Sequence, residues 1–310
     1  MLTCLAGGVG ASKLLTGLKH VMDPETGNII VNTADDEIFY GLHVSPDIDT
    51  IAYSLAGLGD EVKGWGIRDD TFNALSMLSV YGVETWFRIG DKDLATHVFR
   101  TMRLREGASL TQVTREIAEK LGVSWRILPM TDDRVKTLVQ TSEGWMPFQA
   151  YFVKHQHRPR IFGVKFEGIE KARPTKEVIE SLTEAKHVVI CPSNPVVSIG
   201  PILALDGVRD LLCEAEASVL GVSPIVGGRA LKGPAAEMME AMGFEASPAG
   251  VAAFYKDFLD VLVVDEVDRQ HVEEVRAYGV KPAVTQTVMN NLEDKIRLAR
   301  FCLNLLGKKT

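Results

Sequence analysis

Apolar residues open the chain as a near-unbroken block, Met1–Ala6, and then change period. Leu14, Leu15, Leu18 and Val21 recur at helical spacing across Ala11–Val21. A second short apolar run, NIIVN (Asn28–Asn32), follows. Strand, glycine turn, helix and strand make a βαβ unit, which implies a parallel sheet. Downstream, Asp70 can cap a helix that runs to Tyr81 and stops at Gly82, and Asp91 can cap one carrying Leu94, Val98 and Phe99. Ser109 and Gln112 form a capping-box pair before a helix ended by Gly122. From Trp125 to Gly168 the pattern alternates around a turn at Ser142–Gly144, and a β-rich inserted subdomain is expected there, at 125–168.

The α/β rhythm then resumes. HVVICPSNP and SVLGVSPIVGG each read as a strand running into a loop. A helix with Pro234 in its first turn and Gly243 past its end comes next. Ser247 and Pro248 open another helix, VLVVDEVD is a strand, and a last helix covers Val288–Leu306. No repeat and no interdomain linker interrupts this pattern, so residues 1–310 read as a single α/β domain.

Composition narrows the function classes. The chain has 310 residues, 46% of them hydrophobic, enough for a sizeable core. Its formal charge of −7 argues against a general nucleic-acid binder but leaves room for a nucleotide-like small substrate at a locally positive site. Cys4, Cys191, Cys213 and Cys302 show no C-x-x-C spacing and read as reduced thiols of a cytoplasmic protein. No basic leader with a cleavage site and no apolar run of membrane length is present, so no membrane partner is expected.

Five stretches carry chemistry. In AGGVGASK, a glycine turn between the first strand and the first helix turns backbone N–H groups and the helix dipole toward an anion, and Lys13 adds a full charge. Gly7, Gly8, Gly10 and Lys13 are therefore candidate phosphate-binding residues. Lys13 stands where a Rossmann fingerprint has its third glycine, and no Walker A loop is present. In NTADDEIFYGLHVSPDIDT, Asp35, Asp36, Asp47 and Asp49 follow the second strand at the end where open sheets place ligands. Such hard oxygens suit Mg²⁺ beside a phosphate, and Asp35 and Asp36 also fall near the position of a ribose-binding acid. WFRIGDKDLATHVFR holds Arg88, then Asp91 and Asp93; His97 reads as a packed or exposed histidine. In CPSNPVVSIGP, two prolines stiffen a loop that presents Ser193 and Asn194. GVSPIVGGRALKGPA presents Ser223, then Arg229 and Lys232 before a helix, a second candidate anion site.

Taken in register, GGVG, NTADD, SPDIDT, WGIRDDT, GDKDLATH, PMTDD, PSNPVVSIGPI, VSPIVG and YKDFLD resemble the 2-phospho-L-lactate transferase family of coenzyme F420 biosynthesis. The resemblance implies a Rossmann-like fold, a homodimer and a Mg²⁺ requirement. It implies transfer of a phospho-organic acid from a guanylylated diphosphate donor, lactyl- or enolpyruvyl-diphosphoguanosine, to the ribityl 5'-hydroxyl of the deazaflavin Fo, with GMP leaving. Asp49 and Arg88 match the family's Fo contacts; other members carry lysine at the latter position. The expected assignment follows: Gly7, Gly8, Gly10 and Lys13 on the diphosphate, with Asn32 and Asp35 in the same binding set. Asp36, Asp47 and Asp49 are expected on Mg²⁺, with Asp47, Asp49 and Arg88 at the reaction centre. Ser193, Asn194 and Ser223 are expected on the guanosine side. Two alternatives are a nicotinamide-dependent oxidoreductase, which lacks its third glycine here, and a nucleotide-sugar-binding regulatory protein.

Overall fold

The apolar block and the run after the first helix form adjacent parallel strands inside one sheet. A computed structural model describes residues 1–23, 27–230 and 233–307. In chain order the elements are β1 (Leu2–Ala6), α1 (Gly8–Lys19), β2 (Gly27–Val31), β3 (Glu37–Phe39), β4 (Leu42–Val44), α2 (Pro46–Leu55), α3 (Asn73–Val80), α4 (Asp91–Arg105), α5 (Leu110–Lys120), β5 (Arg126–Pro129), β6 (Lys136–Thr141), β7 (Gly144–Pro147) and β8 (Gly163–Glu167). They continue as α6 (Lys176–Thr183), β9 (His187–Ile190), α7 (Gly200–Ala204), α8 (Val208–Glu214), β10 (Ser218–Val222), β11 (Ile225–Val226), β12 (Arg229–Ala230), α9 (Ala235–Ala241), α10 (Pro248–Tyr255), β13 (Val261–Asp265), α11 (Val272–Ala277), β14 (Lys281–Thr285) and α12 (Leu292–Leu305).

The main sheet has seven strands in the order β14-β13-β10-β9-β1-β2-β5, and every pairing in it is parallel. From β1 the chain steps outward through β2 to β5; from β9 it steps the other way. The order therefore reverses between β1 and β9, and a crevice opens beyond their carboxyl ends, where open α/β sheets bind ligands. Both faces are covered, which is why β1 and β2 are buried at every position rather than alternating. Leu14, Leu15 and Leu18 of α1 pack on one face with Leu298 and Leu303 of α12. Each such fully buried side chain contributes about 1.5–3 kcal/mol of burial free energy.

The β-rich stretch at 125–168 divides in two. Arg126–Pro129 is the edge strand of the main sheet, paired with β2. Only β6, β7 and β8 form a separate antiparallel sheet, with the turn at Ser142–Glu143 joining its β6–β7 hairpin. The segment between β7 and β8 contains a π-helical turn, Ala150–Lys154, that leans over the crevice.

Two caps are exchanged relative to the expectation. Asp91 does not cap its own helix; its carboxylate accepts the N–H groups of Asn73 and Ala74 at the start of α3. Asp70 instead accepts the N–H groups of Lys92 and Asp93 at the start of α4. Each aspartate satisfies the orphan donors of the other's helix, and the exchange ties together the two segments flanking Trp86–Arg88. The Ser109–Gln112 capping box of α5 forms as its spacing predicts.

Candidate active site

The crevice is a cleft of about 570 Å³. Its floor is the turn after β1, and α1 starts at Gly8, earlier than the sequence pattern suggests. Gly8 has φ +70°, a conformation other residues adopt only at a cost. A Cβ on Gly10 would lie 2.0 Å from the Pro192 carbonyl oxygen, so the β9 loop requires glycine there. Part of the amide cradle is already used by the protein. Gly7 N–H donates to Ser193 Oγ at 3.2 Å, and Gly8 N–H donates to the Asp47 carboxylate. The first-turn residues Val9 and Gly10 face the cleft, and Lys13 lines it with its Nζ bonded to the Met289 carbonyl at 2.9 Å.

The four clustered aspartates separate into two environments. Asp35 and Asp47 both line the cleft and both are buried. Burial pushes the Asp47 carboxyl up to about 6, helped by the nearby Asp36 charge and opposed by bonds from Asn32 and Gly8. Burial, then the Asp47 charge, hold Asp35 well above the carboxylate range, and its Oδ1 is buried without a hydrogen-bond partner. Two neighbouring desolvated carboxylates, one with an orphaned oxygen, hold negative charge at a cost. Hard oxygen donors of this kind fit Mg²⁺.

Asp36 and Asp49 are turned to other partners. Asp36 is absent from the cleft wall; its Oδ2 accepts from His43 Nε2 at 2.9 Å and Ser45 Oγ at 2.6 Å, while its Oδ1, like that of Asp35, is buried without a hydrogen-bond partner. Asp49 reaches the wall, but both its oxygens are clamped by Arg100, with Nη1 to Oδ2 at 3.0 Å and Nη2 to Oδ1. Arg100 is fully buried, and His97 completes the cluster, with Nδ1 3.6 Å from Asp49 and Nε2 3.2 Å from Asp93. Tyr53 donates to the same Asp93 at 2.8 Å. Of the expected metal set of Asp36, Asp47 and Asp49, Asp47 and Asp49 line the cleft and Asp36 lies behind it, near enough for its charge to act on Asp47; Asp35 lines the cleft as well. His97, read from sequence as a bystander, lines the cleft inside this network.

The other expected residues are placed as follows. Asn32 is buried outside the cleft wall and orients Asp47, donating to its Oδ2 at 3.0 Å, so it acts on the site rather than on a ligand. Ser193, Asn194 and Ser223 all line the cleft, yet their polar atoms serve the loops. Asn194 Oδ1 caps the π-helical turn Pro195–Ile199 through the N–H groups of Val196 and Val197. The Ser223 hydroxyl exchanges bonds with Ile225. Arg88 stands at the far end with its guanidinium 4.3 Å over the Phe72 ring. Arg229 is exposed, and Lys232 lies outside the described residues.

Sequence reasoning missed three parts of the wall. Trp65, Trp86 and Phe87 are one aromatic part of it, and Phe148 and Phe152 of the inserted arm are another. Thr287–Asn290, just after β14, line the cleft near Lys13, whose Nζ bonds the Met289 carbonyl. The last belongs to the run TQTVMNN at the end of β14, a strand that the sequence reading did not include.

The fold defines a class: a Rossmann-like α/β protein with a seven-stranded parallel sheet and a cleft beyond the carboxyl ends of its strands. A solved structure of a UPF0052-family protein from Bacillus halodurans shares that architecture, with a TM-score of 0.64 and 16% identity over 97% of this chain and 98% of that one. The profile of the family 2-phospho-L-lactate transferase CofD matches residues 2–300, and the chain belongs to that family. The 2-phospho-L-lactate transferase of Methanosarcina acetivorans is 40% identical over 97% of each chain. That of Methanopyrus kandleri is 40% identical over 98% of this chain and 97% of its own. A phosphoenolpyruvate transferase of Streptomyces griseus is also 40% identical, over 97% of this chain and 96% of its own. Among the described residues no helix is long and apolar enough to cross a membrane.

Proposed function

We propose that this protein transfers a 2-phospho-organic acid, phospholactate or phosphoenolpyruvate, from its guanylylated diphosphate to the ribityl 5'-hydroxyl of Fo in coenzyme F420 biosynthesis. The observation that carries the reading is the pair of buried cleft carboxylates, Asp35 and Asp47, set against the first turn of α1. That arrangement suits a diphosphate with a divalent cation and has no use in a neutral-ligand site. Family membership and relatives named for both acids support the transferase class.

The reaction forms a bond from the 5'-oxygen to the phosphorus bearing the organic acid and breaks the bridge to the second phosphorus. GMP leaves with that electron pair, and the hydroxyl proton passes to solvent. Such transfers depend on in-line placement and charge neutralisation more than on a protein nucleophile. Val9 and Gly10 N–H groups and Lys13 hold the diphosphate; Gly7 and Gly8 shape the turn. Asp35 and Asp47 would hold Mg²⁺, which would supply charge neutralisation for the departing phosphate. The aromatic walls hold the flat deazaflavin, and Arg88, kept in place by Phe72, borders that end. Asp49 acts through the wall: clamped by Arg100, it fixes α2 so that Asp47 faces the cradle.

Incubating Fo with each donor and weighing the product tests this directly. A mass gain of one phospho-acid with one GMP released per turnover is expected. No GMP from either donor overturns the reading, and binding of a nucleotide sugar instead would favour a regulatory protein.

A further inference from the structure

A second, smaller cavity of about 60 Å³ opens off the cradle wall. Val9, Lys13, Thr50, Gly64, Trp65 and Gly66 line both spaces, so the two are neighbours. Lys295 of α12 also lines the smaller one, although that lysine is only 3% exposed. Its position follows from close helix packing. A Cβ on Gly17 of α1 would lie 2.1 Å from the Lys295 carbonyl oxygen, so glycine lets α12 approach until the ammonium reaches the start of α1. Two ammonium groups thus share one pocket, and burial together with the Lys295 charge draws the Lys13 pKa down.

The counter-charge is unusual. Lys295 Nζ is 2.8 Å from Glu61 Oε1, and the Glu61 side chain is 69% exposed. Glu61 sits on the glycine-rich loop that brings Trp65 to the cleft. The other cavity acid, Asp60, is paired with Lys63 at 3.0 Å. A buried lysine normally has a buried partner. Here its partner is a tethered, solvent-exposed carboxylate on a loop at the cleft rim, which is the anion most easily exchanged for one arriving with a ligand.

We propose that the Lys13–Lys295 cavity is the subsite for the carboxylate of the donor's organic acid, with Glu61 as the resident carboxylate it displaces. This rests on the guanylylated-acid reading above and deepens it, because neither the cradle nor the paired aspartates distinguish an acid-bearing diphosphate from a plain one. The cavity adjoins the cradle, is sized for a carboxylate rather than a ring, and is lined by Ser12, Thr16 and Ser54 besides the lysines. Displacing Glu61 frees its loop, so occupancy by the correct acid also repositions Trp65 against the acceptor side.

The test is calorimetric binding of three probes in the presence of Mg²⁺: GDP, the ethyl ester of GDP, and lactyl-diphosphoguanosine. Wild type binds the lactyl compound about 10–100-fold more tightly than the ethyl ester, the range expected for a hydrogen bond to a charged group. Lys295→Met reduces that ratio to about 3-fold or less, with GDP affinity unchanged. Glu61→Gln, which alters only an exposed side chain, leaves GDP alone and strengthens the lactyl compound several-fold. Equal loss for all three probes in Lys295→Met with a native circular dichroism spectrum overturns the proposal. So does a wild type that does not distinguish the lactyl from the ethyl compound. If Lys295→Met does not fold, Glu61→Gln decides, and an unchanged lactyl-to-ethyl ratio in that variant overturns it. Failure of wild type to bind GDP or either ester would instead remove the guanylylated-donor reading itself.

Discussion

Replacing Asp47 by asparagine should make the unliganded protein more stable while disabling it. Asp47 is buried beside Asp35, and its carboxyl is pushed from 3.8 to about 6. In the unfolded chain it titrates near its ordinary value, so above pH 6 folding forces an ionised group into a site that disfavours its charge. A shift of about two units costs the folded state about 3 kcal/mol at neutral pH and above. Asparagine removes that penalty but weakens the bond from Gly8, worth about 1 kcal/mol. The net gain is about 2 kcal/mol, a rise in melting temperature of about 3–5 °C for a chain of this size. The sign fixes the pH window. As pH falls through 6 toward 3.8 the wild-type carboxyl takes up its proton in the folded state and the gain disappears. Thermal melts by circular dichroism without divalent metal, at pH 7.5 and pH 4.5, measure both. Saturating Mg²⁺ with GDP should reverse the order at pH 7.5, because only wild type gains binding free energy. An Asp47→Asn protein that melts below wild type at pH 7.5 without metal would refute the claim that this site stores unfavourable charge for a ligand.

Other outcomes follow from the same geometry. Arg100→Met should destabilise the fold by about 3–5 kcal/mol in urea unfolding, since it strands Asp49; the pair Asp49→Asn/Arg100→Gln should recover most of that loss. Gly10→Ala should fail to accumulate as soluble protein or melt at least 10 °C lower, because its Cβ meets the Pro192 carbonyl; a normal melt would show that the β9 loop yields. Lys13→Ala should raise the KM for the donor about 10-fold or more and leave that for Fo unchanged, measured by GMP release. Phe148→Ala with Phe152→Ala should do the reverse, raising the KM for Fo alone.

The central sheet was legible because its evidence is local: an apolar block, a turn and a helical repeat can be read within one βαβ unit. What failed was long-range. Arg126–Pro129 looked continuous with the β-rich insertion because strand character says nothing about which sheet a strand joins. Asp70 and Asp91 each stand just before or within a helix start, and a local capping rule cannot detect that the helices exchange caps. The way the aspartate cluster divides has a cause that is present in the sequence. Pro46 in the first turn makes Asp47 and Asp49 helical, and residues two apart on a helix do not face the same way. Both still line the cleft, Asp47 bonded by Asn32 and Asp49 clamped by Arg100. Asp35 and Asp36 are adjacent and point apart for a similar reason, although which one faces the cleft depends on His43 and Ser45 arriving from β4 and its following turn. The aromatic lining comes from three separated segments, Trp65, Trp86–Phe87 and Phe148–Phe152, and only folding brings them to one cleft.

The account turns on a cation held between Asp35 and Asp47 against the α1 turn. A crystal grown with GDP and Mn²⁺ in place of Mg²⁺ locates that cation by its anomalous scattering. The expected result is one peak within bonding distance of both Asp35 and Asp47, with the diphosphate over Val9 and Gly10. A peak on Asp36 or Asp49, or a diphosphate bound away from the turn, would contradict it.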